Sequence, residues 1–106
     1  MTPLPKQLLT QLPALYEKEG LGLAAQATIK FFLPGTGWTW YPTEFDGDDI
    51  LFGLVIGHVA EFGYFRLSEL EALRSPLGLR VERDLYFKPR SLGELRDHYE
   101  KEGWAL

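Results

Sequence analysis

The stretch of residues 31–65 constrains the fold more than any other part of the chain. It contains ten of the fifteen aromatic residues, most of the β-branched residues, and an Asp-Gly pair between two strand-like runs. Asp-Gly is typical of tight hairpin turns, because those turns require positive φ angles. The stretch therefore predicts an antiparallel meander with a heavy aromatic load.

Four apolar or alternating runs in this region are typical of strands: 26–33, 37–45, 50–58 and 62–66. Within the second run, Pro42 cannot donate to a ladder, which predicts an edge position or a bulge there. The third run is the most apolar and is predicted to be central. Two glycines on one of its faces, Gly53 and Gly57, leave space that Trp38 or Trp40 could fill.

Helical signals lie on both sides of the meander. Thr2, followed by proline, predicts the N-cap of a first helix. Ser68 with Glu71, and Ser91 with Glu94, have the spacing of capping boxes and predict two later helices.

A further run, 79–88, alternates apolar and polar residues and predicts a half-buried strand between the two later helices. The expected architecture is a single α+β domain over residues 1–106. In it, an antiparallel meander sheet of four to five strands packs through one face against two to three helices.

Composition restricts the function classes. Cysteine is absent, which excludes disulfides and thiolate metal sites. The N-terminal residues resemble no secretory leader, and no apolar run approaches the ~20 residues of a membrane helix, so we expect a cytoplasmic protein.

Asparagine is absent and methionine scarce, which predicts a thermophilic source. The net charge of −4 disfavours a broad phosphate-binding face.

Carboxylates form the first candidate site. Glu44 and Asp46 precede or open the Asp-Gly turn, and Glu82 and Asp84 lie in the alternating run. Hard cations such as Mg²⁺ prefer carboxylate oxygens, so these four acids could form the centre of a metal-dependent nuclease or other hydrolase. The alternative is that aspartates are present because turns favour them.

Arg83 forms a second candidate, because alternation places its charge on the apolar side of the run 79–88. Such an arginine needs a carboxylate partner, for which Glu44 or Glu61 are the candidates, or it binds a carboxylate or phosphate ligand.

The aromatic residues form a third candidate. Trp38, Trp40, Tyr41 and Tyr64 could stack on the bases of single-stranded nucleic acid, could mark a protein-binding patch, or could be core residues. The chain has no phosphate-binding loop, no nucleophile elbow and no pair of histidines at zinc-binding spacing, so we expect no cofactor. Whether the protein is an enzyme stays open at this point.

Four motifs carry a resemblance to a known family: W-T-W-Y-x-T-E-F-D-G, F-G-x-x-x-G, F-G-Y-F-x-L-S-E-L and P-L-G-L-x-x-E-R-D-L-x-F. Over nearly its whole length the chain resembles a small bacterial domain-of-unknown-function family found on plasmids, conjugative elements and phages. The resemblance implies a setting in mobile DNA and supplies no catalytic residues.

The leading hypothesis is a small non-enzymatic module of mobile-element type that binds a protein or nucleoprotein partner, with no membrane association. The metal-dependent hydrolase and the single-strand binder are the alternatives. The residues expected to bind are Trp38, Trp40, Tyr41, Glu44, Tyr64, Glu82, Arg83 and Asp84.

Overall fold

A five-stranded antiparallel sheet organises the chain, which is described here by a computed structural model for residues 4, 6–15 and 19–106. The predicted α+β class is confirmed. The helices are α1 (Lys6–Leu9), a 3₁₀ segment (Glu19–Ala24), α2 (Leu67–Ala72) and α3 (Leu92–Glu102). The strands are β1 (Gln26–Ala27), β2 (Phe31–Phe32), β3 (Thr39–Phe45), β4 (Ile50–Ile56), β5 (Ala60–Arg66), β6 (Glu82–Arg83) and β7 (Arg90–Ser91).

The large sheet has the order β5-β4-β3-β2-β6, and β1 pairs with β7 in a separate two-stranded ribbon. β3 is therefore the middle strand, whereas β4, which was predicted to be central, lies between β3 and the edge strand β5. The meander β3–β4–β5 forms as predicted, and Gly47 has the positive φ of 89° that its hairpin turn requires. No helix in the described part of the chain has the length and apolar character needed to cross a bilayer.

Both faces of the sheet are covered. One face, called the α2 face here, carries Trp40 and Leu51 and packs against Leu70 of α2. The opposite α3 face carries Tyr41 and Leu54 and packs against leucines of α3. The prediction that a single face packs on helices is therefore wrong, because α3 and the β1–β7 ribbon cover the second one.

A bulge in β3 redistributes its side chains between the two faces. Pro42 pairs with Gly53, but Glu44 is the next residue in register, opposite Phe52, so Thr43 is the extra residue. The inserted residue shifts the alternation, and Phe45 joins the same core cluster as Trp40 although five positions separate them. The bulge predicted from Pro42 is confirmed.

The alternating run 79–88 does not form the predicted strand; only Glu82–Arg83 does. The chain turns at Asp84, whose side chain accepts the N–H of Tyr86 at 2.9 Å. This local bond competes with a sheet ladder, as aspartate side chains commonly do. Leu85 and Tyr86 are consequently exposed, with 72% and 91% of their surface accessible.

Of the two predicted capping boxes, only the serine cap of α3 forms, because the Glu94 carboxylate accepts from Arg90 instead of closing the box. The Ser91 hydroxyl accepts the N–H of Glu94 at 3.1 Å and caps α3, as predicted. Ser68 does not cap α2; its N–H and hydroxyl instead donate to the Asp49 carboxylate at 2.8 and 2.7 Å. A residue of the β3–β4 turn thus binds the first turn of α2. The predicted N-cap Thr2 lies outside the described residues.

The β3–β4 turn holds two carboxylates in hydrogen bonds. Asp46 accepts three backbone N–H groups, those of Asp48, Asp49 and Ile50. These bonds hold the pKa of Asp46 below its ordinary value, and the bonds from Ser68 do the same for Asp49. Each carboxylate is therefore more strongly ionised in the folded chain than in the unfolded chain.

We expect stability from these two carboxylates to be present above the ordinary pKa of 3.8 and to be lost as pH falls through the lower folded values. Asp49→Asn should therefore lower the melting temperature at pH 7 and narrow the difference between pH 7 and pH 3. Thermal unfolding followed by circular dichroism measures both, with Asp97→Asn on the exposed side of α3 as control. A variant that loses equal stability at both pH values would contradict the assignment.

Candidate binding groove

A groove of about 800 Å³ opens on the α2 face, at the end of the sheet where β3 begins and β4 ends. The β2–β3 hairpin and the β4–β5 turn form one wall. α2 and the loop after it form the other wall. The residues that line the groove include Trp38, Trp40, His58, Phe65, Leu70 and Arg74.

The two tryptophans have different positions in this groove. Trp40 is 5% exposed and belongs to the core, so it forms the floor. Trp38 is 39% exposed and its ring lies 6.1 Å from that of Trp40, with the planes 22° apart. A Cβ atom at Gly57 would collide with the Trp38 ring, which confirms the predicted packing of a tryptophan over a glycine. Trp38 therefore forms a half-exposed wall.

The backbone around Trp38 is held by local hydrogen bonds. The Thr36 hydroxyl accepts the Trp38 N–H at 3.1 Å and donates to the Leu33 carbonyl at 2.8 Å. The Leu33 N–H in turn donates to the Trp38 carbonyl at 3.1 Å. The hairpin thus positions the Trp38 ring before any ligand is bound, which reduces the entropy lost on binding.

The rim of the groove is polar. His58 lies edge-on to the Trp38 ring, with centroids 5.8 Å apart. Arg74 donates to the carbonyls of Glu71 and Leu73 at the end of α2, so its charge is fixed at the helix C-terminus. Ser75 accepts two backbone N–H groups in the following turn.

The groove has the size and lining of an apolar pocket. The volume is within the range of ligand pockets, roughly 300–1,000 Å³, and the lining is mainly aromatic and aliphatic. Among the polar groups of the rim, Arg74 and Ser75 bond backbone atoms and His58 packs against a ring. The groove can therefore accept an apolar side chain or ring, and its rim can orient a polar group next to it.

Tyr41, one of the residues expected to bind, is a core residue instead. It is fully buried on the α3 face, where its ring lies 5.5 Å from that of Phe87. Its hydroxyl donates to the Leu106 carbonyl at 2.8 Å. Burial and the nearby Asp84 charge raise its pKa well above the ordinary value. The alternation of β3 places Tyr41 on the face opposite Trp40, its neighbour in the chain.

Glu44 and Tyr64 also lie away from the groove. They flank Phe52 in register on the α3 face, and the Tyr64 ring lies 5.0 Å from the Phe52 ring. Glu44 is 4% exposed, whereas Tyr64 is 55% exposed. Glu44 and Thr39, which lies at the groove end, pair with β4 residues four positions apart, roughly 13 Å along the sheet.

The expected binding residues 82–84 lie at the far edge of the sheet. Arg83 pairs with Phe31 and shares the α2 face, but within the described residues it makes no ion pair. The expected bridges to Glu44 or Glu61 therefore do not form. Asp84 is bound by Lys30 at 3.6 Å, a largely buried pair.

The four carboxylates of the metal hypothesis do not converge. Asp46 bonds its own turn, Asp84 bonds Lys30, and Glu44 and Glu82 lie at opposite ends of the sheet. Among the residues that the structure describes, no three acidic or histidine side chains are close enough to share a metal ion. The geometry offers no support for the metal-dependent hydrolase.

A comparison with protein-family models matches residues 4–101 to a family described as "Protein of unknown function (DUF2958)". The chain belongs to this family. The expected membership of a domain family of unknown function is confirmed to that extent. Searches of curated proteins and of solved structures found no significant match.

Several groove residues of this DUF2958 chain were not identified from the sequence. His58, Phe65, Leu70 and Arg74 come from the β4–β5 turn, β5, α2 and the loop after α2. No motif links them, because only the packing of α2 on the sheet brings them together. Gly57 was the available signal, since a glycine beside a strand end marked where a tryptophan would lie.

Proposed function

We propose that this protein is a non-enzymatic module that binds a protein or nucleoprotein partner by taking an apolar side chain of the partner into the groove. The supporting observation is Trp38, a half-exposed ring held in place by Gly57 and the Thr36 hydrogen bonds. Tryptophan is enriched among the few interface residues that dominate binding energy.

A protein surface suits this groove better than a nucleic-acid strand does. The net charge is −4, and the groove rim combines Glu69 with Arg74, whose guanidinium is bound to backbone carbonyls. Binding of a phosphate backbone depends on clustered, available lysines and arginines. If the partner is a nucleoprotein, the contact at this groove is therefore with its protein component.

The setting of this function is also part of the proposal. The family resemblance supports a role in mobile DNA, on plasmids, conjugative elements or phages. The composition supports a cytoplasmic protein from a thermophilic host. A melting temperature in the ordinary mesophile range, roughly 45–65 °C, would contradict the thermophilic source.

Trp38→Ala should weaken partner binding at least about 30-fold, the effect of losing roughly 2 kcal/mol at a binding hot spot. The partner is first isolated by affinity capture from the host and purified. Its Kd is then measured by calorimetry for the wild type, Trp38→Ala and Trp104→Ala. Trp104 is the matched control, because its exposed ring packs on His98 of α3 and not in the groove.

Equal affinity of the wild type and Trp38→Ala would contradict the proposal, as would an equal loss in Trp104→Ala. Thermal unfolding of each variant shows whether a lost interaction reflects a lost fold. If Gly57→Ala, which displaces the Trp38 ring without removing it, weakens binding in parallel, the position of the ring is the determinant.

A further inference from the structure

The outer side of β5 is an edge of the five-stranded sheet. β5 is the last strand in the order, and in the described part of the chain no strand pairs with it on the side away from β4. It extends over seven residues from Ala60 to Arg66. An edge strand presents backbone groups that can pair with another chain, and the first half of β5 is the part considered for such pairing.

Three backbone hydrogen bonds determine which residues of β5 point outward. The Asp46 N–H donates to the Ile50 carbonyl, so Ile50 points toward β3. The Leu67 N–H donates to the Asp49 backbone carbonyl, and the Gly57 N–H donates to the Val59 carbonyl. The backbone groups of odd-numbered residues therefore connect β4 with β5. Because direction alternates along an antiparallel strand, Glu61 and Gly63 point toward β4, whereas the N–H and carbonyl groups of Ala60 and Phe62 point away from the sheet.

The outward groups lie beside the groove. Ala60 follows the turn that contains His58, and Phe65 of the same strand lines the groove. On the α2 face β5 carries only Glu61 and Phe65, because Gly63 has no side chain and a Cβ there would meet no atom within 4 Å. A side chain of an added strand could therefore lie over Gly63 and reach Phe65.

We infer that the partner binds as an extended segment that adds to β5 next to Ala60 and Phe62 and places an apolar side chain in the groove. This inference rests on the proposed binding function and specifies the partner for it. Backbone bonds supply affinity in this type of recognition, and side chains at alternate positions supply specificity.

Glu61 determines the charge of that segment. Its side chain is exposed and makes no ion pair within the described residues. An opposite charge directly across an antiparallel pair is stabilising, whereas a like charge is destabilising. A second copy of this chain, paired through Ala60 and Phe62 about a two-fold axis, would place Glu61 opposite its own copy. The partner segment therefore carries Lys or Arg opposite Glu61, with an apolar residue two positions along.

The test uses a ten-residue peptide that repeats Lys-Thr-Val-Thr, so that Lys and Val alternate on one face of the added strand, and amide hydrogen exchange measured by NMR. In the free protein, the amides of Ala60 and Phe62 should exchange rapidly, whereas those of Glu61 and Gly63 should be protected. Addition of the peptide should slow exchange at Ala60 and Phe62 at least about tenfold. The same peptide with Glu in place of each Lys is the charge control.

Two variants distinguish the contribution of the β5 backbone to binding from that of the Glu61 charge. Phe62→Pro removes an outward N–H that β4 does not use, so the sheet should persist while peptide affinity falls about tenfold or more. Phe62→Ala keeps that N–H and is its matched control. Glu61→Lys should reverse the preference from the Lys peptide to the Glu peptide, a readout that does not depend on whether the proline variant folds.

Absence of binding by the Lys peptide, unchanged exchange at Ala60 and Phe62, or a charge preference that Glu61→Lys leaves in place would each overturn the inference. So would a dimer of the free protein with both amides protected, because the edge would then belong to a second copy. If Trp38→Ala abolishes partner binding while the edge amides stay unaffected, the proposed function stands and this inference alone fails.

Discussion

Gly53→Ala is expected to lower the free energy of unfolding by about 3 kcal/mol, the upper end of the usual cost of overpacking. A Cβ atom at this position would collide with the carbonyl oxygen of Tyr41 and would lie 2.9 Å from the Cα of Pro42. Both are backbone atoms at the bulge of β3, the middle strand of the sheet. Neither can move unless the pairing of β3 with β4 changes.

Chemical denaturation of Gly53→Ala and Gly57→Ala provides the measurement and its control. The Cβ atom at Gly57 also meets an obstacle, but that obstacle is the half-exposed ring of Trp38, which can rotate away. Gly57→Ala should therefore cost under about 1 kcal/mol. If the two variants lost similar free energies of unfolding, the result would contradict the close contact between β3 and β4 at Gly53.

Trp40→Ala is expected to cost about 3–5 kcal/mol, the usual range for removing a buried aromatic side chain. Trp40 is 5% exposed and packs in the same cluster as Phe31, Phe45 and Phe65. Since small domains are stable by only roughly 5–15 kcal/mol, this variant should be close to unfolding at physiological temperature.

Trp38→Ala is the control for that experiment, because it removes the same side chain from a position 39% exposed. We expect it to cost no more than about 1.5 kcal/mol. Denaturant unfolding followed by far-ultraviolet circular dichroism compares the two without relying on tryptophan emission. An equal cost would mean that Trp38 is also structural, and the binding assignment of the groove would lose its basis.

These expectations divide the aromatic residues of the meander into two kinds. Trp40 belongs to the core between the sheet and α2, and Tyr41 belongs to the core between the sheet and α3. Trp38 lies at the end of the sheet, where its ring covers a glycine instead of filling a core. The heavy aromatic load is therefore mostly structural, and the part available for binding is small and localised.

Local chemistry explains which structural predictions were confirmed. The Asp-Gly turn, the bulge at Pro42 and the Ser91 cap each depend on one residue and its immediate neighbours along the chain. The packing of a tryptophan over Gly57 depends on one adjacent strand. Interactions of this range can be predicted from spacing and residue type.

The predictions that failed each involved a choice between two local options. Ser68 has the sequence of a capping box, yet the Asp49 carboxylate binds it from the β3–β4 turn. Asp84 could continue a strand, yet its carboxylate accepts the Tyr86 N–H and forms an ion pair with Lys30. Tyr41 could have been on an open face, yet α3 packs over it. At Ser68 and Tyr41 the deciding contact comes from a segment distant in the sequence, whereas at Asp84 it comes from a local turn.

The sequence by itself determined the α+β class, the meander, its turn and its bulge, and the family to which the chain belongs, because period, turn chemistry and motifs are local properties. Only the tertiary structure decided that both sheet faces are covered, that the four carboxylates stay apart, and that Trp38 meets α2 across a groove. Those outcomes depend on where α2 and α3 pack, and packing is set by the summed burial of side chains from distant segments. The aromatic stretch 31–65 thus specifies the scaffold, and the helices outside it determine which of its rings remains accessible.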